Sequence, residues 1–280
     1  MISCPTVSKG VIRRHYDLST LFYRLLWGPH IHHGYWEQNE SPRQAAVQLT
    51  ERLADLVNIQ GGERLIDIGC GMGGSSIHLA RHRRCETIGV TISPVQRRWA
   101  QWSALVQGVR SRCTFMCADA ETVELPPTQA DVVWSIECTE HLFDKPRFFE
   151  RAAQWLKPGG SMAICAWLAG RDAEAQAGLA EQTFQVCEGF FCPSLGTLGD
   201  YVNWMSAAGL QVETAVDWTS QVLRTWEICR DRVRRSRVRM LARCIDRDSV
   251  MFLDRFETLL RAYQTGAMEY GCFVARKPIS

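Results

Sequence analysis

From about residue 43 to 169 the chain alternates between two hydrophobic periods. Short apolar runs of strand length follow windows in which apolar residues recur three and four positions apart. The pattern predicts a helix over 42–58, a strand over 65–68, a helix to about 84 and a strand over 87–93. Pro94 stands at a favoured first position of the next helix, which runs to about 107. Residues 113–117 and 131–136 read as strands, 146–156 as a helix closed by Lys157-Pro158-Gly159-Gly160, and 161–167 as a fifth strand. Regular alternation of this kind predicts the α/β class, with a doubly wound, mostly parallel, Rossmann-like sheet.

The alternation then breaks. Residues 171–208 read as helices and loop rich in aromatics, among them Phe184, Phe190, Phe191, Tyr201 and Trp204. Residues 210–216 form a sixth strand, 218–263 a second helical stretch, and 268–275 a seventh strand. The organisation expected is a lid over 1–41, a core over 42–170, a mostly helical cap over 171–265 enclosing one core strand, and a last strand and tail over 266–280. Ligands of open α/β sheets bind at the carboxyl edge of the strands, which such a cap would cover.

The first strand, Leu65-Ile66-Asp67-Ile68, runs into Gly69-Cys70-Gly71-Met72-Gly73-Gly74 and then into a helical pattern. Glycines let backbone approach a ligand, and the helix start offers free N–H groups. A dinucleotide site has its glycines as GxGxxG and an acid at the tip of the second strand. Here the glycines fall as GxGxGG, the acid (Asp67) lies in the first strand, and Thr91-Ile92-Ser93 ends the second without one. That spacing favours S-adenosylmethionine over a nicotinamide dinucleotide.

Four strand tips should line the crevice: Gly69 to Gly73, Thr91 to Ser93, Asp119-Ala120, and Ile136-Glu137. Asp119 can accept a hydrogen bond from an adenine amino group or cap the helix start before Glu121. Thr91 and Gln96 can bond ribose hydroxyls, or Gln96 can sit exposed on its helix. His141 follows the fourth strand close to Glu137 and Glu140 and is the candidate general base. A neighbouring carboxylate would orient its ring and raise its pKa; the alternative is a histidine packed on a helix and bonded to backbone.

Composition narrows the classes. The chain has 280 residues, 46% apolar, with a net charge of +2. That is enough for a substantial core, and no global charge points to nucleic acid. Twelve cysteines lie mostly in apolar runs, and the opening MISCPTVSKG has no apolar signal core. Reduced core cysteines and a cytoplasmic protein are expected. Cys113 and Cys117 have no partner pair, and His30, His32 and His33 lack fixed thiolate or carboxylate partners, so no metal is expected. His33 is read as an acceptor contact, and Phe191 and Trp204 as walls of an apolar pocket. The arginine-rich run Arg230–Arg247 is either a solvated cap helix or a weak membrane-surface contact.

The runs VTISPVQ (90–96), VWSIECTEHLFDK (133–145) and LKPGG (156–160) resemble the gamma-tocopherol methyltransferase family. HYDLSTLFYRLLWGPHIHHGYWE (15–37) is similar to the same family, and also to the cyclopropane-fatty-acid synthases and benzylisoquinoline-type N-methyltransferases. FFCPSLGTLGDYVNWMSAAGL (190–210) and ARKP (275–278) extend the likeness over nearly the whole chain. The resemblance implies a class I methyltransferase fold with S-adenosylmethionine as cofactor and S-adenosylhomocysteine as product. It implies that Tyr16 reaches the cofactor from a lid helix and that Tyr35-Trp36 closes over cofactor or acceptor. Asp67, Gly69, Cys70 and Gly71 would form the cofactor loop, with Thr91, Ile92 and Gln96 at the ribose and Asp119-Ala120 at the adenine. Glu140-His141 matches the pair the N-methyltransferases use near the amine. Plant tocopherol members carry a transit peptide, which this opening does not resemble.

The expected activity is methylation of a small, largely apolar acceptor, with O- or C-methylation of a phenolic or prenylated metabolite first and N-methylation of an alkaloid-type amine second. A non-catalytic S-adenosylmethionine-binding scaffold and a nicotinamide oxidoreductase are the rivals from other classes. Acceptor identity, the atom methylated and oligomeric state are not legible in the sequence.

Overall fold

The structure is a computed structural model that describes residues 1–26, 28–235 and 247–279. Strand β1 (Ile2–Ser3) and helices α1 (Lys9–Leu26) and α2 (Pro42–Leu56) precede the alternating core. The core runs β2 (Arg64–Ile68), α3 (Gly74–His82), β3 (Glu86–Thr91), α4 (Pro94–Val106), β4 (Cys113–Cys117), β5 (Ala130–Ile136), α5 (Lys145–Trp155) and β6 (Leu156–Ala169). Then come α6 (Ala177–Phe190), β7 (Ser194–Leu195), α7 (Leu198–Ala207), β8 (Gln211–Asp217), α8 (Thr219–Val222), α9 (Arg224–Arg235), α10 (Arg247–Thr265) and β9 (Met268–Arg276).

Seven strands form one sheet in the order β4-β3-β2-β5-β6-β9-β8, and β1 pairs separately with β7. Only β9 runs antiparallel to its neighbours in the large sheet. Strand alternation divides β2 between two cores: Leu65 joins the apolar cluster under α2 and the cap, while Ile66 and Ile68 join the one under α5 and α7. Lys157-Pro158-Gly159-Gly160 does not close α5 as expected; it is the irregular first part of β6, and the register to β5 shifts between Ala130 and Val132.

Local chemistry sets the helix starts. Ser41 and Gln44 form a capping box ahead of α2, Ser93 caps α4 with Pro94 as its first residue, and Asp144 caps α5. Among the described residues the cysteines are free and most are buried, and no helix is long and apolar enough to cross a membrane. Most of the Arg230–Arg247 run lies outside the described residues.

Candidate active site

The turn after β2 is fastened to β3: the amides of Gly69 and Cys70 donate to Val90 O at 2.9 and 3.0 Å. Gly69, Gly71 and Gly73 have φ of 79°, 54° and 80°, a region that L side chains rarely adopt. A Cβ on Gly69 would stand 2.3 Å from the Cys138 Cβ, whereas one on Gly71 would meet nothing nearer than 3.9 Å. The first glycine therefore permits packing of the turn, and the second leaves open space above it. Below the turn, Ser76 Oγ donates to Asp67 at 2.5 Å. Burial raises the Asp67 pKa to about 6 against those bonds.

The carboxyl ends of β2 to β5, together with α1 and the 29–32 segment, line a cavity open to solvent. Every residue assigned to the cofactor lines it: Tyr16 from α1; Asp67, Gly69, Cys70 and Gly71 from the turn; Thr91, Ile92 and Gln96 after β3; Asp119 and Ala120 after β4; and Glu137 after β5. Gln96 is buried rather than exposed, and it accepts a hydrogen bond from Thr91 Oγ1 at 2.9 Å. No helix follows Asp119, so it caps a turn rather than a helix start. Its Oδ1 accepts the Glu121 amide at 2.9 Å, and its carboxylate still faces the cavity.

Lys9 was not singled out from sequence. Its ammonium lies 2.5 Å from Asp119 and 2.7 Å from Glu121, joining α1 to the far end of the cavity. Burial of the amine opposes its charge, but the bonds to Asp119 and Glu121 outweigh burial and raise its pKa. The charged lining is thus mainly acidic: Asp67, Asp119, Glu121 and Glu137 against Lys9. A cationic sulfonium nucleoside suits that balance, and a pyrophosphate does not.

A second cavity adjoins the first and shares Tyr16, Ile31, His32, Glu137 and His141 with it. His33 lines it as expected, and Trp167, Phe190 and Trp226 supply aromatic walls. Of these three only Phe190 was among the aromatics noted in the sequence. Trp167 lies near the end of β6 and Trp226 sits in a cap helix, so neither carries a motif. Among the described residues no lysine or arginine lines this cavity.

His141 stands between the two cavities. The expectation that a carboxylate orients it and raises its pKa is corrected. Its Nδ1 donates to Phe191 O at 3.1 Å, and its Nε2 is 2.9 Å from the Tyr16 hydroxyl. With Nδ1 committed to a carbonyl, Nε2 accepts from Tyr16. Burial lowers the His141 pKa from 6.5 to about 4. Neither neighbouring carboxylate bonds the ring. Glu137, in a left-handed conformation at the end of β5 (φ 53°), accepts from four donors. These are His33 N at 2.7 Å, His33 Nδ1 at 2.8 Å, Tyr270 OH at 2.9 Å and Trp167 Nε1 at 3.1 Å. Burial would raise its pKa, but His33 more than offsets that and holds it low. Glu140 lines the second cavity, its Oε2 has no partner, and burial followed by the Glu137 charge pushes its pKa well up.

Four expected acceptor contacts need correction, because none of them lines either cavity. The Tyr35 amide donates to Ala45 O at 2.9 Å, and Trp36 Nε1 donates to Thr225 Oγ1 at 2.9 Å. The segment is therefore a strut between α2 and α9. Phe191 gives its carbonyl to His141 while its ring lies against His15 at 4.9 Å. Trp204 packs with Phe149 and Tyr201 against the α5–α7 core, far from the cap that its position in sequence suggested.

Comparison with known proteins bears on this arrangement. Residues 5–269 match the model of the family described as mycolic acid cyclopropane synthetase. Tocopherol O-methyltransferase from Arabidopsis thaliana is 27% identical over 99% of this chain and 84% of its own length. The 27-O-demethylrifamycin SV methyltransferase of Amycolatopsis mediterranei is 31% identical over 95% of this chain and 97% of its own. The solved cyclopropane synthase MmaA2 from Mycobacterium tuberculosis has the same fold, with a TM-score of 0.86, 18% identity, and coverage of 98% of this chain and 100% of that one. The chain belongs to the mycolic acid cyclopropane synthetase family, within the class I methyltransferases that use S-adenosylmethionine.

Proposed function

We propose that the protein moves a methyl group from S-adenosylmethionine to a small, largely apolar acceptor. The first choice is a phenol oxygen or ring carbon of an aromatic or prenylated specialised metabolite. The reading is carried by one observation: a neutral histidine with a fixed tautomer sits where an acidic cavity meets an aromatic one. The cofactor supplies a methyl group on a cationic sulfur and leaves as neutral S-adenosylhomocysteine. The glycine turn, Thr91, Gln96 and Asp119 hold its nucleoside and methionine parts, and the lid residues Tyr16 and Ile31 exclude water.

The chain's own groups then manage one proton. A phenol oxygen becomes strongly acidic as it gains carbon, so even a weak base can take its proton in the transition state. His141 Nε2 takes it directly, or Tyr16 passes its own proton to Nε2 and takes the acceptor's. The imidazolium so formed is stabilised by the negative Glu137.

A second reading is N-methylation of an alkaloid-type amine. Its support is Glu140, whose unpartnered oxygen a cationic amine would engage and ionise. Radiolabelled methyl transfer across phenols, prenylated quinols and cyclic amines separates the readings. Label in phenols or quinols supports the first, label confined to amines selects the second, and no label in any acceptor despite S-adenosylhomocysteine binding overturns both.

A further inference from the structure

One face of the molecule is used by neither cavity. On α4, Trp102, Leu105 and Val106 are 51%, 54% and 64% exposed, an unusual concentration of large apolar side chains in water. Arg98, Trp102 and Leu105 are spaced i, i+4, i+7 and share one side of the helix. Trp102, Leu105, Arg110 and Thr114 line a shallow groove between α4 and β4, the edge strand of the large sheet. From Arg81 to Ala118 the sequence holds seven arginines and a single acid, Glu86, in a chain whose net charge is only +2. Arg98, Arg110 and Arg112 are exposed and form no ion pair among the described residues.

We propose that this face docks on an anionic lipid bilayer, with Trp102, Leu105 and Val106 entering the interfacial layer and the arginines on lipid phosphates. A tryptophan and aliphatic residues rimmed by cations match the chemistry of a membrane interface. Other occupants fit less well. In a symmetric pair of this chain the patch would meet itself, bringing arginine against arginine. A nucleic acid would use the arginines and leave the three apolar side chains in water. The patch is remote from the site: α4 begins at the cavity with Gln96 and carries Trp102, Leu105 and Val106 at its other end, where the far end of α1 meets it with Arg24 over the Trp99 ring at 5.6 Å. The surface is independent of the Arg230–Arg247 run, and its failure would leave the proposed reaction untouched.

The test is co-sedimentation of the full chain with vesicles of phosphatidylcholine alone or with added phosphatidylglycerol. It is accompanied by Trp fluorescence and repeated with W102S/L105S and R98Q/R110Q. Unchanged circular dichroism and S-adenosylhomocysteine binding establish that the variants fold. Binding to the anionic vesicles should weaken about fivefold for each arginine removed, fade with salt, and fall about tenfold or more in W102S/L105S. Wild type failing to sediment with anionic vesicles, or W102S/L105S binding as wild type does, overturns the proposal. So does a dimer that W102S/L105S dissociates, or duplex DNA binding that W102S/L105S leaves intact.

Discussion

The two cavities that meet at His141 are built from different kinds of material. The first is centred on a glycine turn held on β3 with strand tips around it, and polar and apolar residues complete its wall. The second is lined by histidines, aromatics and two glutamates, with contributions from α1, the 31–33 segment, β6, α6 and α9. Glu137 and Glu140, three residues apart, sharpen the contrast. Glu137 has four donors that favour its charge; Glu140 has an oxygen without a partner, and its burial disfavours the charged form. A cavity centred on a backbone turn is set by turn geometry and suits a constant ligand. A cavity lined by such side chains can be redrawn by substitution, so acceptor choice can diverge while the cofactor seat stays the same.

The largest expected effect breaks the first cavity. Gly69→Val combines a positive φ with a clash on Cys138 and should cost about 3–5 kcal/mol of stability in thermal unfolding. Gly71→Val should cost about 1–2 kcal/mol, keep the fold, and lose S-adenosylhomocysteine binding by calorimetry. Wild-type affinity in Gly71→Val would remove the glycine turn as the cofactor seat.

His141→Ala tests the junction. Turnover should fall about 10²–10⁴-fold with cofactor affinity nearly unchanged, and Tyr16→Phe should fall less. Equal turnover in wild type and His141→Ala would exclude it as the base.

The two carboxylates should then separate. Glu137→Gln disturbs a buried, fully bonded charge and should destabilise by about 3 kcal/mol. Glu140→Gln removes a carboxyl whose charge burial already disfavours; its stability should change by about 0.5 kcal/mol or less, while acceptor KM shifts. Equal destabilisation of both variants would contradict the charge assignment.

Acid should act through the same junction. The His141 pKa is depressed in the fold, so its contribution is complete above pH 6.5 and is lost as pH falls through about 4. The full difference is about 3 kcal/mol. His30 and His32 act with the same sign, while Asp67, raised to about 6, acts with the opposite one. Urea unfolding of wild type minus His141→Asn across this window isolates the histidine; a flat difference curve would refute its buried, neutral state. The smallest effect is at Trp204→Phe, expected to lose about 1 kcal/mol of stability with acceptor KM unchanged.

By itself the sequence determined the sheet, the order of its core elements, and the strand-tip residues that line the first cavity, because each follows from local periodicity or from a strand-end rule. Glycines at fixed spacing have to turn, and parallel strands have to end at a common edge. Only the tertiary structure decided what surrounds His141. A carbonyl from Phe191 rather than a carboxylate orients it, Glu137 serves His33 instead, Tyr35 and Trp36 brace helices, and Trp204 lies in the far core. Those outcomes depend on which distant side chains reach one buried volume first and satisfy its polar atoms. Such competition among segments more than a hundred residues apart leaves no periodic trace along the chain.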